Sequence, residues 1–324
     1  MKKETKIALL AAAGLASAAA GAAHVASRYV CDVAIRRNGP PVPERLKVKI
    51  SGGAYLDPVL GEIEKAGDLA LKLPTETVSI TSGDGLVLTA HYYPADKPDR
   101  ILIAMHGWRS SWTRDYGFSC DFFHNEGCAI IYPDQRGTGN SGGEYIGFGV
   151  LERADCLDWV NYAVSRFGSD VPIYLVGISM GATTVLMTLG YELPPSVRGV
   201  IADCGFTSPQ AIISHVMGNN MGISDKISAP IINNICSKIR DREYDKYSTV
   251  EALKNNKVPV LFIHGGNDRF VPISMTFENY EACTADKDLF IVPSAGHGMS
   301  YIVETEGYHN KVQNFFNKYD RPTK

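Results

Sequence analysis

The sequence contains a serine in a setting typical of a nucleophile, the motif Gly177-Ile-Ser-Met-Gly181. An apolar run at 171–176 precedes the motif, and a stretch of small, helix-forming residues at 182–189 follows it. A serine on a sharp strand-to-helix turn has an exposed hydroxyl, and flanking glycines let the turn pack closely. The N–H of Met180 would lie at the positive end of the new helix, where an oxyanion can form. Because short motifs also occur by chance, a glycine-rich turn with a solvated serine is the alternative.

A serine hydroxyl is a weak nucleophile that needs a base, and the base needs an orienting group. His297 lies in a glycine-flanked loop after the last predicted strand and is the candidate base. Asp268 follows the predicted strand 258–263 and is the candidate acid. Asp203, which follows the strand 197–202, is a second candidate acid. Alternatively, Asp268 caps a turn and His297 bonds only loop backbone.

A tetrahedral intermediate of acyl transfer needs two N–H donors. Met180 would supply one of them, and the backbone N–H of Trp108 is the predicted second. Arg109 is the neighbouring alternative to Trp108. His106 and His264 each end a strand and precede a glycine, and we predict that both are structural.

From about residue 75 onward, apolar runs alternate with helical patterns. Predicted strands lie at 77–80, 86–93, 101–105, 128–132, 173–176, 197–202, 258–263 and 289–292, and predicted helices at 148–167, 180–191 and 301–318. Continuous apolar strands separated by helices indicate a mostly parallel sheet with helices on both faces, and the first two strands indicate a hairpin. Chemistry in such a sheet collects at the carboxyl ends of the strands.

The motifs at these strand ends resemble those of the α/β-hydrolase superfamily, and they lie at 106–108, 134–141, 177–181, 258–268 and 296–298. The chain order Ser179, Asp268, His297 is also the order of that superfamily. More narrowly, the chain looks like bacterial serine hydrolases near the serine aminopeptidase and acyl-thioesterase branches, including membrane-anchored members. The resemblance covers about 75–320. It implies an α/β-hydrolase fold with a small helical cap over the nucleophile.

The predicted regions are an N-terminal transmembrane anchor or signal peptide at 1–27, a linker and N-terminal extension at 28–74, and an α/β-hydrolase domain at 75–324. Within the last region, 206–257 is an insertion in which apolar residues recur at helical spacing. The resemblance implies that this insertion is the cap, with an acyl pocket lined by Met217, Met221 and isoleucines. A helix pair that simply packs on the core is the alternative.

The N-terminal region has two interpretations. Lysines at 2, 3 and 6 precede an uncharged stretch at 7–27, which is about long enough to span a bilayer. A short apolar run followed by Ala-x-Ala at 16–18, or by Ala-Gly-Ala at 20–22, would instead be a cleaved signal peptide. We favour an uncleaved anchor and membrane association, with secretion as the alternative. Arginines follow the stretch, so positive charge on both sides leaves its orientation open.

Composition excludes several other classes of protein. The 324 residues carry a net charge of −3 and no basic stripe, so we predict no nucleic-acid partner. The seven cysteines are widely spaced and form no C-x-x-C pair, so we predict no metal site. The sequence Gly137-Thr-Gly-Asn-Ser-Gly142 matches G-x-G-x-x-G, but it neither ends a strand directly nor opens a helix. We therefore predict no nucleotide cofactor, and indeed no cofactor at all.

These residues together predict a serine hydrolase of carboxylic esters that works through an acyl-enzyme, with a small ester, thioester or short peptide as substrate. A thioesterase or a serine peptidase with the same three residues is the alternative. A second hypothesis of a different class is a non-catalytic, membrane-tethered binding protein, which a missing member of the triad would favour. All three members of the triad are present, which argues against this second hypothesis. The sequence leaves the oligomeric state open.

Overall fold

The computed structural model describes residues 21, 24–53, 59–238 and 247–320. Its strands are β1 (Glu76–Thr81), β2 (Val87–Tyr93), β3 (Arg100–Met105), β4 (Cys128–Pro133), β5 (Ile173–Ile178), β6 (Val197–Asp203), β7 (Val260–Gly265) and β8 (Lys287–Val292). Within the described residues they form one eight-stranded sheet in the order β1-β2-β4-β3-β5-β6-β7-β8. The first two pairings in this order are antiparallel and the remaining five are parallel. The predicted α/β-hydrolase fold, with its initial hairpin, is confirmed.

Helices precede, connect and follow these strands. They are α1 (24–35), α2 (Glu44–Ile50), α3 (Leu60–Ala70), α4 (Trp112–Tyr116), α5 (Cys120–Asn125), α6 (Glu152–Phe167), α7 (Met180–Thr188), α8 (Pro209–His215), α9 (Asp225–Lys238), α10 (Thr249–Leu253), α11 (Ile273–Ala282), α12 (Ser300–Val303) and α13 (Thr305–Tyr319).

The central strands are apolar on both faces because both faces are covered. Along β3, Ile101 and Ile103 belong to a core shared with α6 and α7, whereas Leu102 and Ala104 belong to a second core shared with α5 and α13. Alternate residues of a strand point to opposite faces, so a doubly covered strand must be hydrophobic throughout. The sheet is thereby fixed as a rigid base for the loops at its carboxyl edge.

The insertion after β6 is helical, as its apolar spacing predicts. It contains α8, a π-helical turn at Val216–Asn220, α9 and α10. Side chains from α8, the π-helical turn and α9 share a third apolar cluster with α1 and with Met180 at the start of α7. The cap helices and the N-terminal helix therefore meet above the turn that carries Ser179.

The described part of the predicted linker, 28–74, is largely helical. Here α3 packs on α4 so closely that a Cβ on Gly67 would lie 3.2 Å from the carbonyl oxygen of Thr113. Most of the predicted anchor or signal peptide lies outside the described residues, which include only 21 and 24–27 of it. Among the helices that the structure describes, none combines the length and the apolar character needed to cross a membrane.

Candidate active site

Ser179 occupies a strained turn between β5 and α7. Its backbone has φ 56° and ψ −117°, in the left-handed half of conformational space that non-glycine residues rarely adopt. The turn is so tight that neither glycine could carry a side chain. A Cβ on Gly177 would lie 2.3 Å from the carbonyl carbon of Gly181, and a Cβ on Gly181 would lie 1.9 Å from the carbonyl oxygen of Met105. The N–H of Ser179 donates to the carbonyl of Asp203 at 2.8 Å, which ties the turn to β6. The two glycines of the motif are thus required by sterics.

Ser179, His297 and Asp268 form a continuous chain of hydrogen bonds. The hydroxyl of Ser179 lies 2.9 Å from Nε2 of His297, and Nδ1 of His297 lies 2.7 Å from Oδ2 of Asp268. The carboxylate is fully buried, whereas 16% of the imidazole side chain is exposed. This places the three predicted residues in hydrogen-bonding order, with the base accessible and its orienting group shielded from water.

The surroundings of Asp268 and His297 favour the charged form of each side chain. Burial alone would raise the pKa of Asp268, but His297 and His264 outweigh that effect and hold the pKa well below its ordinary value. Burial alone would lower the pKa of His297, but the charge of Asp268 and its hydrogen bond raise it above its ordinary value. Asp268 is therefore ionised at neutral pH, and it stabilises an imidazolium on His297.

His264 provides a second contact to Asp268 that the sequence does not reveal. Its Nε2 lies 3.3 Å from Oδ2 of Asp268 and 3.0 Å from the carbonyl of Val271, and its Nδ1 lies 2.7 Å from the hydroxyl of Thr276. Because Nε2 faces two acceptors, it carries the proton, and Nδ1 accepts from Thr276. His264 is fully buried and holds the carboxylate in place. The sequence places His264 at the end of β7 and Asp268 three residues beyond that strand, but this spacing alone does not indicate the contact.

Asp203, the alternative acid, acts on His297 through its charge but is not hydrogen-bonded to the imidazole. Its side chain is buried and accepts a hydrogen bond from the hydroxyl of Ser300 at 3.3 Å. Among the described residues, no hydrogen bond joins Asp203 to His297. Burial raises the pKa of Asp203 to about 6. The geometry favours Asp268 as the partner of His297.

Of the two predicted oxyanion donors, Trp108 lines both cavities beside Ser179, and Met180 directly follows the serine in the chain. Met180 is the first residue of α7, and the backbone N–H groups of Met180 and Trp108 have no hydrogen-bond acceptor among the described residues. The preceding N–H, that of Gly107, donates to Oδ2 of Asp115 at 2.6 Å. Asp115 also accepts from Ser110 at 2.5 Å, so one carboxylate shapes the loop after β3. No sequence motif indicates this role of Asp115.

His106 and the glycine-rich segment 137–142 are engaged in loop structure. Nδ1 of His106 lies 2.8 Å from the carbonyl of Gly107, and its Nε2 accepts from the N–H of Gln135 at 3.2 Å. Asp134 accepts from the N–H of Asn140 at 2.8 Å, which closes the glycine-rich turn on itself. Neither His106 nor the segment 137–142 lines the two cavities that border Ser179.

The described residues offer one cluster with metal-ligand chemistry, formed by Cys204, Asp268 and His297, whose ligand atoms lie within 4.8 Å of one another. Two tetrahedral zinc ligands at about 2.1 Å from the metal would lie about 3.4 Å apart. The 2.7 Å separation of Asp268 and His297 is instead that of a charge-assisted hydrogen bond. This geometry is suited to orienting a base.

Two cavities meet at Ser179. The larger, about 460 Å³, is lined by the loop after β3, by α2 and α3, and by polar residues that include Asp115 and Asp203. The smaller, about 90 Å³, is almost wholly apolar and is lined by α1 and the cap. Met217 and Met221, the predicted acyl-pocket residues, line this smaller cavity together with Ile212, Ile213 and Ile235. Ser179 therefore lies between an apolar space and a wider, more polar one.

The chain matches the Prolyl oligopeptidase family over residues 114–321, which is more than half of its length. The uncharacterized protein YqkD of Bacillus subtilis (strain 168) is 27% identical over 236 residues, covering 72% of this chain and 76% of YqkD. The bifunctional esterase/perhydrolase DCH of Acinetobacter calcoaceticus is 24% identical over 258 residues, covering 68% of this chain and 92% of DCH.

Solved structures show the same fold. Esterase Pf2001 of Pyrococcus furiosus superposes with a TM-score of 0.62 at 21% identity, over 78% of this chain and 96% of the esterase. The acylaminoacyl peptidase of Pyrococcus horikoshii superposes with a TM-score of 0.58 at 18% identity, over 80% of this chain and 44% of the peptidase. The predicted superfamily is confirmed. The chain belongs to the prolyl oligopeptidase family, and it is a serine hydrolase with the α/β-hydrolase fold.

Proposed function

We propose that the protein is an esterase that cleaves carboxylic esters with an apolar acyl group, through Ser179, His297 and Asp268. The observation that carries this proposal is the hydrogen-bonded chain of these residues at the mouth of an apolar cavity. The names of the relative DCH and of the neighbour Pf2001 support an esterase within this family.

In the proposed reaction, the hydroxyl oxygen of Ser179 attacks the ester carbonyl while Nε2 of His297 accepts its proton. The backbone N–H groups of Met180 and Trp108 stabilise the resulting oxyanion. The imidazolium then protonates the leaving alkoxide, and the acyl group remains on Ser179. Water, deprotonated by His297, hydrolyses this acyl-enzyme. Asp268 keeps Nδ1 of His297 protonated and so fixes the productive tautomer.

The two cavities suggest where each half of the substrate binds. The small apolar cavity suits the acyl chain, because transferring apolar surface out of water is favourable. The large cavity has room for the leaving group and offers it the polar groups of Asp115 and Arg114. The same arrangement accepts a thioester.

A serine peptidase is the second candidate, and the family match favours it. An aminopeptidase needs a carboxylate that holds the substrate ammonium. Asp241, Glu243 and Asp245 of the insertion 206–257 are candidates for this carboxylate, and they lie outside the described residues.

A fluorophosphonate probe tests the nucleophile. We expect the wild-type protein to be labelled covalently and the Ser179→Ala variant to remain unlabelled, because only an activated serine attacks the phosphorus. Hydrolysis of p-nitrophenyl esters is expected to fall by about 10⁶ in the same variant. Ser300→Ala is a matched control, because Ser300 is also buried nearby but bonds Asp203. A wild-type chain that is neither labelled nor active would refute the proposal.

We further propose that the uncharged N-terminal stretch at 7–27 tethers the enzyme to a membrane as an uncleaved anchor. Mass spectrometry of the protein recovered from a membrane fraction is expected to find the intact N-terminal segment. Loss of the first 18–22 residues, or recovery of the protein only outside the membrane fraction, would contradict an anchor.

A further inference from the structure

Helix α1 lies against the two features on which the proposed reaction depends, the apolar cavity and the loop after β3. Val30, Val33 and Ala34 line the cavity opposite the cap residues, and Ser179 lies on its boundary. The region that matches the family begins at residue 114, so α1 lies outside it. We propose that α1 sets the acyl-chain preference of the enzyme and positions its oxyanion-binding loop. This inference rests on the proposed esterase function.

The end of α1 is anchored firmly in the hydrolase domain. The N–H of Ile146 donates to the carbonyl of Ile35 at 2.7 Å, and the N–H of Arg37 donates to the carbonyl of Glu144 at 2.8 Å. The Arg37 guanidinium also donates to the carbonyls of Gly139, at 2.5 Å, and Ser141. Ile35 is fully buried. These contacts fix the helix end as a wall of the cavity.

The last carbonyls of α1 bind the loop that carries Trp108. The indole N–H of Trp108 donates to the carbonyl of Ala34 at 2.8 Å. The guanidinium of Arg109 donates to the carbonyls of Val33 at 3.0 Å and Arg36 at 2.5 Å. Carbonyls at the end of a helix lack partners within the helix, and its negative end attracts a cation. Arg109 therefore acts as a brace between the two segments.

The brace counteracts strain in the loop. Arg109 has φ 51°, a strained conformation for a non-glycine residue that persists only where contacts enforce it. On the other side, Gly107 is held by Asp115 and lies so close to Ser179 that an added Cβ would be 3.5 Å from the serine Cβ. The N–H of Trp108 lies between these two fixed points. Removing the contacts that hold Arg109 or Gly107 should displace the N–H of Trp108 without moving the catalytic triad.

The acyl preference is tested with p-nitrophenyl acetate and octanoate. We expect Ala34→Leu to lower the octanoate-to-acetate ratio of kcat/KM at least tenfold, because the larger side chain fills the cavity. Ala26→Leu is the matched control: the same substitution on an exposed position of α1, which should leave the ratio within twofold. An unchanged ratio in Ala34→Leu would overturn the role of α1 in specificity.

The positioning role is tested with Arg109→Met and Arg109→Lys. We expect Arg109→Met to lower kcat for the acetate ester by about 10- to 100-fold with KM within threefold, since a displaced donor weakens binding of the oxyanion and not of the ground state. Arg109→Lys should restore part of kcat, and the pH profile should be unchanged in both. A wild-type kcat in Arg109→Met, or an equal rise in KM, would refute the brace.

The outcomes separate this inference from the proposed function. If the wild-type protein reacts with neither fluorophosphonate nor ester, both fail. If it reacts normally and the Ala34 and Arg109 variants behave as wild type, only the role of α1 fails. If Arg109→Met does not fold, the Ala34→Leu and Ala26→Leu pair still decides whether α1 shapes the acyl pocket.

Discussion

Replacing Asp268 by asparagine should lower kcat for ester hydrolysis by about 10⁴. The asparagine keeps the shape of the side chain but removes the charge that stabilises the imidazolium on His297. Its amide can also donate to Nδ1, which selects the wrong tautomer of the imidazole. Steady-state kinetics with a p-nitrophenyl ester, at a pH where the wild type is fully active, measures the loss.

The pH profile of the same variant should shift in a defined direction. In the proposed reaction the neutral imidazole of His297 is the base, so kcat/KM is expected to rise as the pH rises through the pKa of His297. In the wild type this pKa is raised because Asp268, and to a smaller extent Asp203 and Asp115, outweigh the lowering effect of burial. Removing the largest of these charges lets burial dominate. The acid limb of Asp268→Asn is therefore expected at lower pH than in the wild type.

Asp203→Asn is the control for both results. Asp203 bonds Ser300 and not His297, so its replacement should lower kcat by less than tenfold and shift the acid limb only slightly. Burial raises the pKa of Asp203 from 3.8 to about 6, so above that pH the folded protein carries a buried charge that lowers its stability relative to the unfolded chain. The variant should therefore be at least as stable as the wild type at pH 8. The Asp268 assignment would be wrong if Asp203→Asn lost 10⁴ in kcat and Asp268→Asn did not.

The strand ends were predictable because each carries a local signal. Glycines indicate the turn at Ser179, and a separate apolar run precedes each of Asp268 and His297. A parallel sheet brings the carboxyl ends of its strands to one edge, so residues that are 118 apart in sequence meet at 2.9 Å. Fold topology therefore converts three local patterns into one predicted site.

The supporting contacts were not predictable in the same way. Asp115 lies on a five-residue helix, and its bond to Gly107 depends on how that helix packs. The alanine-rich composition of the segment that contains α1 predicts an anchor followed by a linker. It gives no sign that Val30, Val33 and Ala34 form an apolar face on a helix. Trp108, which binds the carbonyl of Ala34, lies 74 residues away in sequence, in the loop after β3. No local pattern encodes that pairing.

Replacing Gly181 by alanine should destabilise the fold by about 4 kcal/mol or more and lower Tm by about 10 °C. An added Cβ would lie 1.9 Å from the carbonyl oxygen of Met105 and 2.8 Å from that of His106. Both neighbours are backbone atoms at the end of the central strand β3, so no side-chain rotation relieves the contact. Either α7 moves away from the sheet or the sheet itself distorts. Thermal denaturation followed by circular dichroism measures the effect.

Gly61→Ala is the matched control for this prediction. Gly61 is an exposed helical residue of α3, and an added Cβ meets nothing within 4 Å. Alanine is the better helix former, so this variant should be as stable as the wild type or more stable by about 0.5–1 kcal/mol. A Tm for Gly181→Ala within about 2 °C of the wild type would contradict the close approach of α7 to β3. That approach places the N–H of Met180 beside the loop of Trp108, so residual Gly181→Ala protein should also lose kcat before it loses substrate binding.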